Sequence, residues 1–151
     1  MTIEVPAPYY TLIETTKGSD PAIVVVNSAL RTFAARKDFS WHLKITVDCQ
    51  MLGANGMPTA EESEVLVQLE EEITRLLAIN ENSIFLARIT CRRSCDLKYR
   101  VRDPAPANDA LEKLASITPA TREWEYRIEQ DVDWNLANLE LSLLERDLRI
   151  N

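Results

Sequence analysis

Residues 84–101 read IFLARITCRRSCDLKYRV, two strand-like runs joined by a short basic link. Ile84 to Cys91 is rich in β-branched and aromatic residues. After the short Arg92-Arg93-Ser94 link, Cys95, Leu97, Tyr99 and Val101 alternate with Asp96, Lys98, Arg100 and Arg102. Side chains along a strand point to opposite faces in turn, so the second run has one apolar face. Two such runs so close in sequence predict an antiparallel hairpin.

The same pattern extends outward on both sides. Upstream, Trp41, Leu43, Ile45 and Val47 alternate with His42, Lys44, Thr46 and Asp48, which predicts a half-buried strand. Gly53-Ala54-Asn55-Gly56 interrupts regular structure. Thr59-Ala60-Glu61-Glu62 then reads as a capping box, with the Thr59 hydroxyl and the Glu62 carboxylate satisfying early backbone donors. Val65, Leu66, Leu69, Ile73, Leu76 and Leu77 follow at three- and four-residue spacing and predict an amphipathic helix. Downstream, Pro104 and Pro106 stop the hairpin, and Asn108 to Ser116 predicts a short helix ended by Pro119. Trp124, Tyr126 and Ile128 alternate with Glu123, Glu125, Arg127 and Glu129 as a further strand.

The resulting order, strand-helix-strand-strand-helix-strand, is the ferredoxin-like unit, an α+β fold with two helices on one face of an antiparallel sheet. Right-handed crossovers place its four strands in the order four, one, three, two. The expectation is one α+β domain over residues 1–151, with its βαββαβ core at about 41–131. An extension over residues 1–40 holds strands near Tyr9–Thr15 and Ala22–Val26, a turn at Gly18-Ser19-Asp20-Pro21 and a helix near Ser28–Arg36. A leucine-rich helix near Trp134–Ile150 follows Asp131-Val132-Asp133, with Leu141, Leu144 and Leu148 on one face.

Composition restricts what the domain can do. With 17 Lys and Arg against 24 Asp and Glu, the net charge is −7. That argues against a nucleic-acid partner, because phosphate neutralisation needs clustered cations. Met1 to Tyr10 carries Glu4, two prolines and no basic residue, unlike a secretory signal. The longest aliphatic run, Ala22 to Val26, is far short of the roughly 20 residues of a membrane span. Cys49, Cys91 and Cys95 form no paired framework and suit reduced thiols, so the expected location is cytoplasmic.

No constellation of residues announces a chemistry. A zinc site needs about four ligands, and His42 is the only histidine. A Cys nucleophile paired with His42 has nothing in the sequence to support it. The Gly53–Gly56 loop lacks flanking cations, and Glu61, Glu62 and Glu64 would repel an anion, so it reads as a tight turn. Asp131 and Asp133 read as helix caps and Trp134 as a core anchor. No cofactor motif or metal spacing is present.

The charges are nevertheless divided along the chain. Residues 61–72 hold Glu61, Glu62, Glu64, Glu70, Glu71 and Glu72 without a cation, on the solvent side of the first helix. They form either a solvated face or a docking surface for a basic protein. Strand parity puts Trp41, Leu97 and Trp124 under the helices and Lys44, Arg88, Lys98 and Arg100 on the reverse face. That face is either wet, covered by the N-terminal strands, or a mixed-charge binding surface. Two functions follow: a non-enzymatic acidic module that binds a basic protein, or a small-ligand or enzymatic site around His42, Lys44, Lys98 and Arg100. A homodimer through the leucine-rich tail or an edge strand is compatible with either.

The run Gly56-Met57-Pro58-Thr59 leading into Glu61-Glu62 and Leu69-Glu70 resembles a bacterial family described as domain of unknown function 695. Ile89-Thr90 running toward Tyr99-Arg100 and the closing Asp131-Val132-Asp133-Trp134 are similar to the same family. The likeness covers roughly residues 8–141. The hairpin link departs from it, with Arg92-Arg93-Ser94 where the family pattern implies a glycine. The family carries no established activity and so implies no catalytic residue. Its architecture is similar to that of small acidic regulators that inhibit ribonuclease E, and similar domains occur among bacterial toxin-neutralising proteins. The resemblance therefore implies a regulator that binds protein, and the charge division adds the expectation of a basic partner such as a nuclease.

Overall fold

A computed structural model describes residues 5–117 and 120–150, with side chains described as far as residue 145. In chain order the elements are β1 (Tyr10–Lys17), β2 (Asp20–Asn27), β3 (Trp41–Asp48), α1 (Ala60–Leu77), β4 (Ser83–Cys91), β5 (Ser94–Val101), α2 (Pro104–Ala115), β6 (Trp124–Gln130) and α3 (Asn138–Ile150). The strands form one antiparallel sheet in the order β1-β2-β4-β5-β3-β6. The last four are the four-strand ferredoxin-like core in its expected order. The N-terminal hairpin extends that core, because β2 pairs with the outer edge of β4.

Two helices cover one face. Leu66, Ile73 and Leu77 of α1 and Ala107 and Leu111 of α2 enclose Leu43, Ile45, Val47, Leu97, Tyr99 and Val101, with Trp41 and Trp124 packed at the margin. On the reverse face, α3 and the turn before it cover Ile13, Val24, Val26, Ile84, Leu86 and Ala87, through Leu141 and Leu144 of the helix and Ala137 just ahead of it. Leu30, Phe33 and Phe39, from the segment between β2 and β3, complete this second core. The reverse face is therefore covered over β1, β2 and β4, by α3 and this segment. That segment holds two short 3-10 turns, Ser28–Thr32 and Arg36–Asp38, where one helix was expected.

Two boundaries and one register differ from the periodic reading, each for a local reason. Helix α2 begins at Pro104 because Asp103 accepts from the Ala105 N–H and proline is tolerated in a first turn. Helix α3 starts at Asn138, since Trp134 has φ of 60° and cannot be helical. In β4 the register slips between Phe85 and Ala87. One inserted residue reverses the parity of everything after it. Arg88, expected beside Lys44, Lys98 and Arg100, is thus opposite Leu97 on the helical face. Pro119 and the Leu148 side chain lie outside the described residues.

The hairpin link that lacks a glycine has Arg92 at φ of 53°, in the left-handed region that glycine favours. Arg92→Gly relieves that strain, offset by a more flexible unfolded chain and by loss of the exposed Arg92–Asp20 ion pair at 2.9 Å. A net gain of about 0.5 kcal/mol in urea denaturation is expected. A loss would mean that the ion pair and the unfolded-chain entropy together outweigh the strain.

Candidate functional site

The glutamates of α1 separate into two sets. The Thr59 hydroxyl accepts from the Glu62 N–H at 3.2 Å, as a capping box requires, but the reciprocal half is missing. The Thr59 N–H already donates to the Met51 carbonyl at 3.0 Å. Glu62, expected on the solvent side, is instead fully buried. Its carboxylate accepts from the Gln50 N–H at 2.6 Å, from Arg122 Nε at 2.9 Å and from Arg122 Nη2. The Arg122 hydrogen bonds hold the Glu62 carboxyl below its usual range despite burial. Glu62 thus pins the loop after β3 and the segment before β6 to the start of α1.

Glu70 is half-buried and accepts from Arg88 Nη1 at 2.9 and 3.1 Å. Burial pushes its carboxyl up, against the opposing pull of Arg88. Glu61, Glu64 and Glu71 are exposed. Of the five glutamates proposed for interaction, these three are free to meet a partner in solution.

The cations of the reverse face do not share a surface. Lys98 and Glu140 of α3 form a buried pair at 2.5 Å, and Glu140 Oε2 has no hydrogen-bond partner among the described residues. Burial raises the Glu140 carboxyl, with Lys98 opposing. Lys44 stays exposed, 3.9 Å from Asp96.

Arg100 is completely buried. It donates to the Phe39 carbonyl at 3.2 Å, to Asp131 Oδ2 at 2.9 Å and to the Asp131 carbonyl at 2.6 Å. Its guanidinium lies 4.5 Å from the centroid of the Trp134 ring. Asp131 also accepts from the N–H groups of Asn135 and Leu136, which shapes the turn leading to α3. Burial alone would raise the Asp131 carboxyl, but the Leu136 N–H, Arg100 and the Asn135 N–H together hold it low.

The remaining reactive groups are quiet. His42 Nδ1 lies 3.2 Å from Arg100 Nη1 and must accept from it, because a guanidinium only donates. Burial, then Arg100 and Lys98, push the imidazole down to about 4. Burial pushes the Cys49 thiol up to about 11 and Cys95 up to about 12, so neither is a ready nucleophile near neutral pH. Among the described residues no group of three His, Cys, Asp or Glu side chains could hold a metal ion.

The periodic reading did not single out Arg122 or Glu140. Arg122 gave no signal, standing alone before a strand. Glu140 had one: it is the acidic residue beside Leu141 and Leu144 on the face that α3 turns toward the sheet.

Among the described residues, six antiparallel strands, two helices on one face and a third on the other define an α+β domain whose core follows the ferredoxin-like order. The chain belongs to a family of unknown function, DUF695, which matches residues 12–138. A search of curated proteins returns no match. Among the described residues, no helix is long and apolar enough to cross a membrane.

Proposed function

We propose that this protein is a non-enzymatic interaction module that binds a basic protein through the exposed edge of α1. The observation that carries this reading is the exposure of Glu61, Glu64 and Glu71 along α1, with Glu71 lining the cavity beside an uncovered apolar strip of sheet. Acidic side chains held on a rigid helix accelerate encounter with a cationic surface, and apolar contacts then slow dissociation. The alternative site around His42, Lys44, Lys98 and Arg100 loses support from the burial of Lys98 and Arg100 beneath other side chains. A regulatory role follows if the partner's own active surface is cationic, and a nuclease is such a partner. The free thiols of Cys49, Cys91 and Cys95 support a cytoplasmic setting.

Affinity capture followed by mass spectrometry tests the reading. A basic protein should be retained at about 50 mM salt and released by about 500 mM, where screening is short-ranged. The triple variant Glu61→Lys, Glu64→Lys, Glu71→Lys should lose it while remaining folded, with only a small fall in melting temperature because Glu61 lies in the first turn of α1. Retention by the triple variant would refute the docking surface.

A further inference from the structure

The helical layer over the sheet is incomplete. Helix α1 covers β4 and β5, where Glu70 meets Arg88 and Thr74 meets the Tyr99 hydroxyl at 2.8 Å. Helix α2 lies over β3 and β6, where Asn108 accepts from the Tyr126 hydroxyl at 2.5 Å. No described helix lies over this face of β1 and β2. Their pairing places Tyr10, Leu12 and Glu14 of β1 and Ile23 and Val25 of β2 on that same face. Tyr10 is 57% exposed, Leu12 61% and Ile23 37%, and Val67 on the neighbouring flank of α1 is 40% exposed. Their partners on the other face, Ile13, Val24 and Val26, are buried under α3.

This strip is a slot. Two adjoining cavities of about 460 and 220 Å³ run along it between α1 and the hairpin, sharing Val25 and Arg88. Strands lie about 4.8 Å apart, so two uncovered strands leave a width of about 10 Å. Packed helix axes are about 8–10 Å apart, and the slot is therefore one helix wide. Its rims are acidic. Glu64 and Glu71 lie two turns apart on the outer edge of α1, and Glu14 is exposed on β1. Arg88, the cation lining the cavities, is already bound by Glu70.

We propose that this slot receives an amphipathic helix of a partner protein, with an apolar stripe on Tyr10, Leu12, Ile23 and Val67 and lysines or arginines on its flanks. The bound helix becomes the third of the layer, beside α1. This rests on the docking reading above and adds the secondary structure and seat of the partner segment.

The test uses the full chain and four synthetic peptides of about 16 residues, long enough for four helical turns. The first has leucines at i, i+3, i+4 and i+7 with lysine elsewhere. The second scrambles that composition, the third has a central proline, and the fourth replaces lysine by glutamate. Binding is followed by the methyl resonances of Leu12, Ile23 and Val67 and by fluorescence anisotropy. The first peptide should shift those methyls, and the other three should bind at least about tenfold more weakly. Leu12→Lys, at an exposed position, should weaken the first peptide by a similar factor without changing the melting temperature.

Equal, salt-sensitive binding of the first three peptides, unaffected by Leu12→Lys, would overturn the helix slot and leave acidic docking standing. Shifts confined to the backbone amides of β1 would mean strand addition at the sheet edge, which also overturns it. Self-association abolished by Leu12→Lys would assign the slot to a second copy. No methyl shift with any peptide at about 1 mM rejects the proposal outright.

Discussion

Arg100→Met should lower the unfolding free energy by about 3–5 kcal/mol, the cost of removing one partner from a buried charge pair. The guanidinium is completely inaccessible, and its donors serve the Phe39 carbonyl, both the carboxylate and the carbonyl of Asp131, and His42. Methionine fills much of the same volume but leaves Asp131 ionised and half-served in a dry setting. The Trp134 ring also loses a cation from its face. Arg100→Lys separates charge from geometry. A single ammonium on a flexible stem restores the positive charge, yet it cannot reach all these acceptors at once or stack as a plane. Its loss should fall between wild type and Arg100→Met. Guanidinium denaturation at pH 7 measures both variants. A loss below about 1 kcal/mol for Arg100→Met would mean that Asp131 finds its partners elsewhere.

This cluster also marks where periodicity stops being informative. The alternation from Trp41 to Asp48 and from Cys95 to Val101 assigns two strands and their faces, because one side of each is buried against helices. The α1 stripe is equally legible. Arg88 is not, since a bulge at Phe85–Ala87 leaves no mark in composition and moves the residue to the other face. The place of β1 and β2 is also silent in the sequence, because an apolar hairpin can extend a sheet or lie across it with the same pattern. Trp134 reads correctly as a core anchor, but its left-handed backbone, which delays α3, is set by the hydrogen bonds that Asp131 makes.

The acidic site was half legible for a related reason. Glu61, Glu64 and Glu71 lie where a helical wheel puts them, toward solvent. Glu62 and Glu70 were drawn inward by Arg122 and Arg88, which lie 60 and 18 residues away along the chain. Local spacing cannot encode such long-range pairing. The slot beside α1 was invisible because it depends on three elements meeting: the helix, the hairpin and the β2–β4 edge that joins them.

Acidification should destabilise the protein as pH falls from about 6.5 to about 4, with His42 as a principal cause. In the unfolded chain the imidazole takes up a proton near 6.5, whereas in the folded protein burial and the charges of Arg100, Lys98 and Lys44 delay this to about 4, with Asp131 opposing. A histidine whose folded value is depressed gives its full stabilisation above the unfolded value. That stabilisation is lost as the unfolded state binds the proton first. At 1.36 kcal/mol per unit, a drop from 6.5 to about 4 corresponds to about 3 kcal/mol. Glu62 and Asp131, both held low, add losses of the same sign at lower pH, as they protonate more readily when unfolded. Glu70 and Glu140, both raised, act in the opposite sense: they are relieved on protonation and favour the folded state as pH falls. His42→Gln isolates the imidazole, since glutamine can accept from Arg100 without titrating. The stability difference between wild type and variant, measured by urea denaturation, should change by about 3 kcal/mol between pH 7 and pH 4. A constant difference across that range would show that the ring is solvated and titrates normally, and that the acid sensitivity belongs to the carboxylates alone.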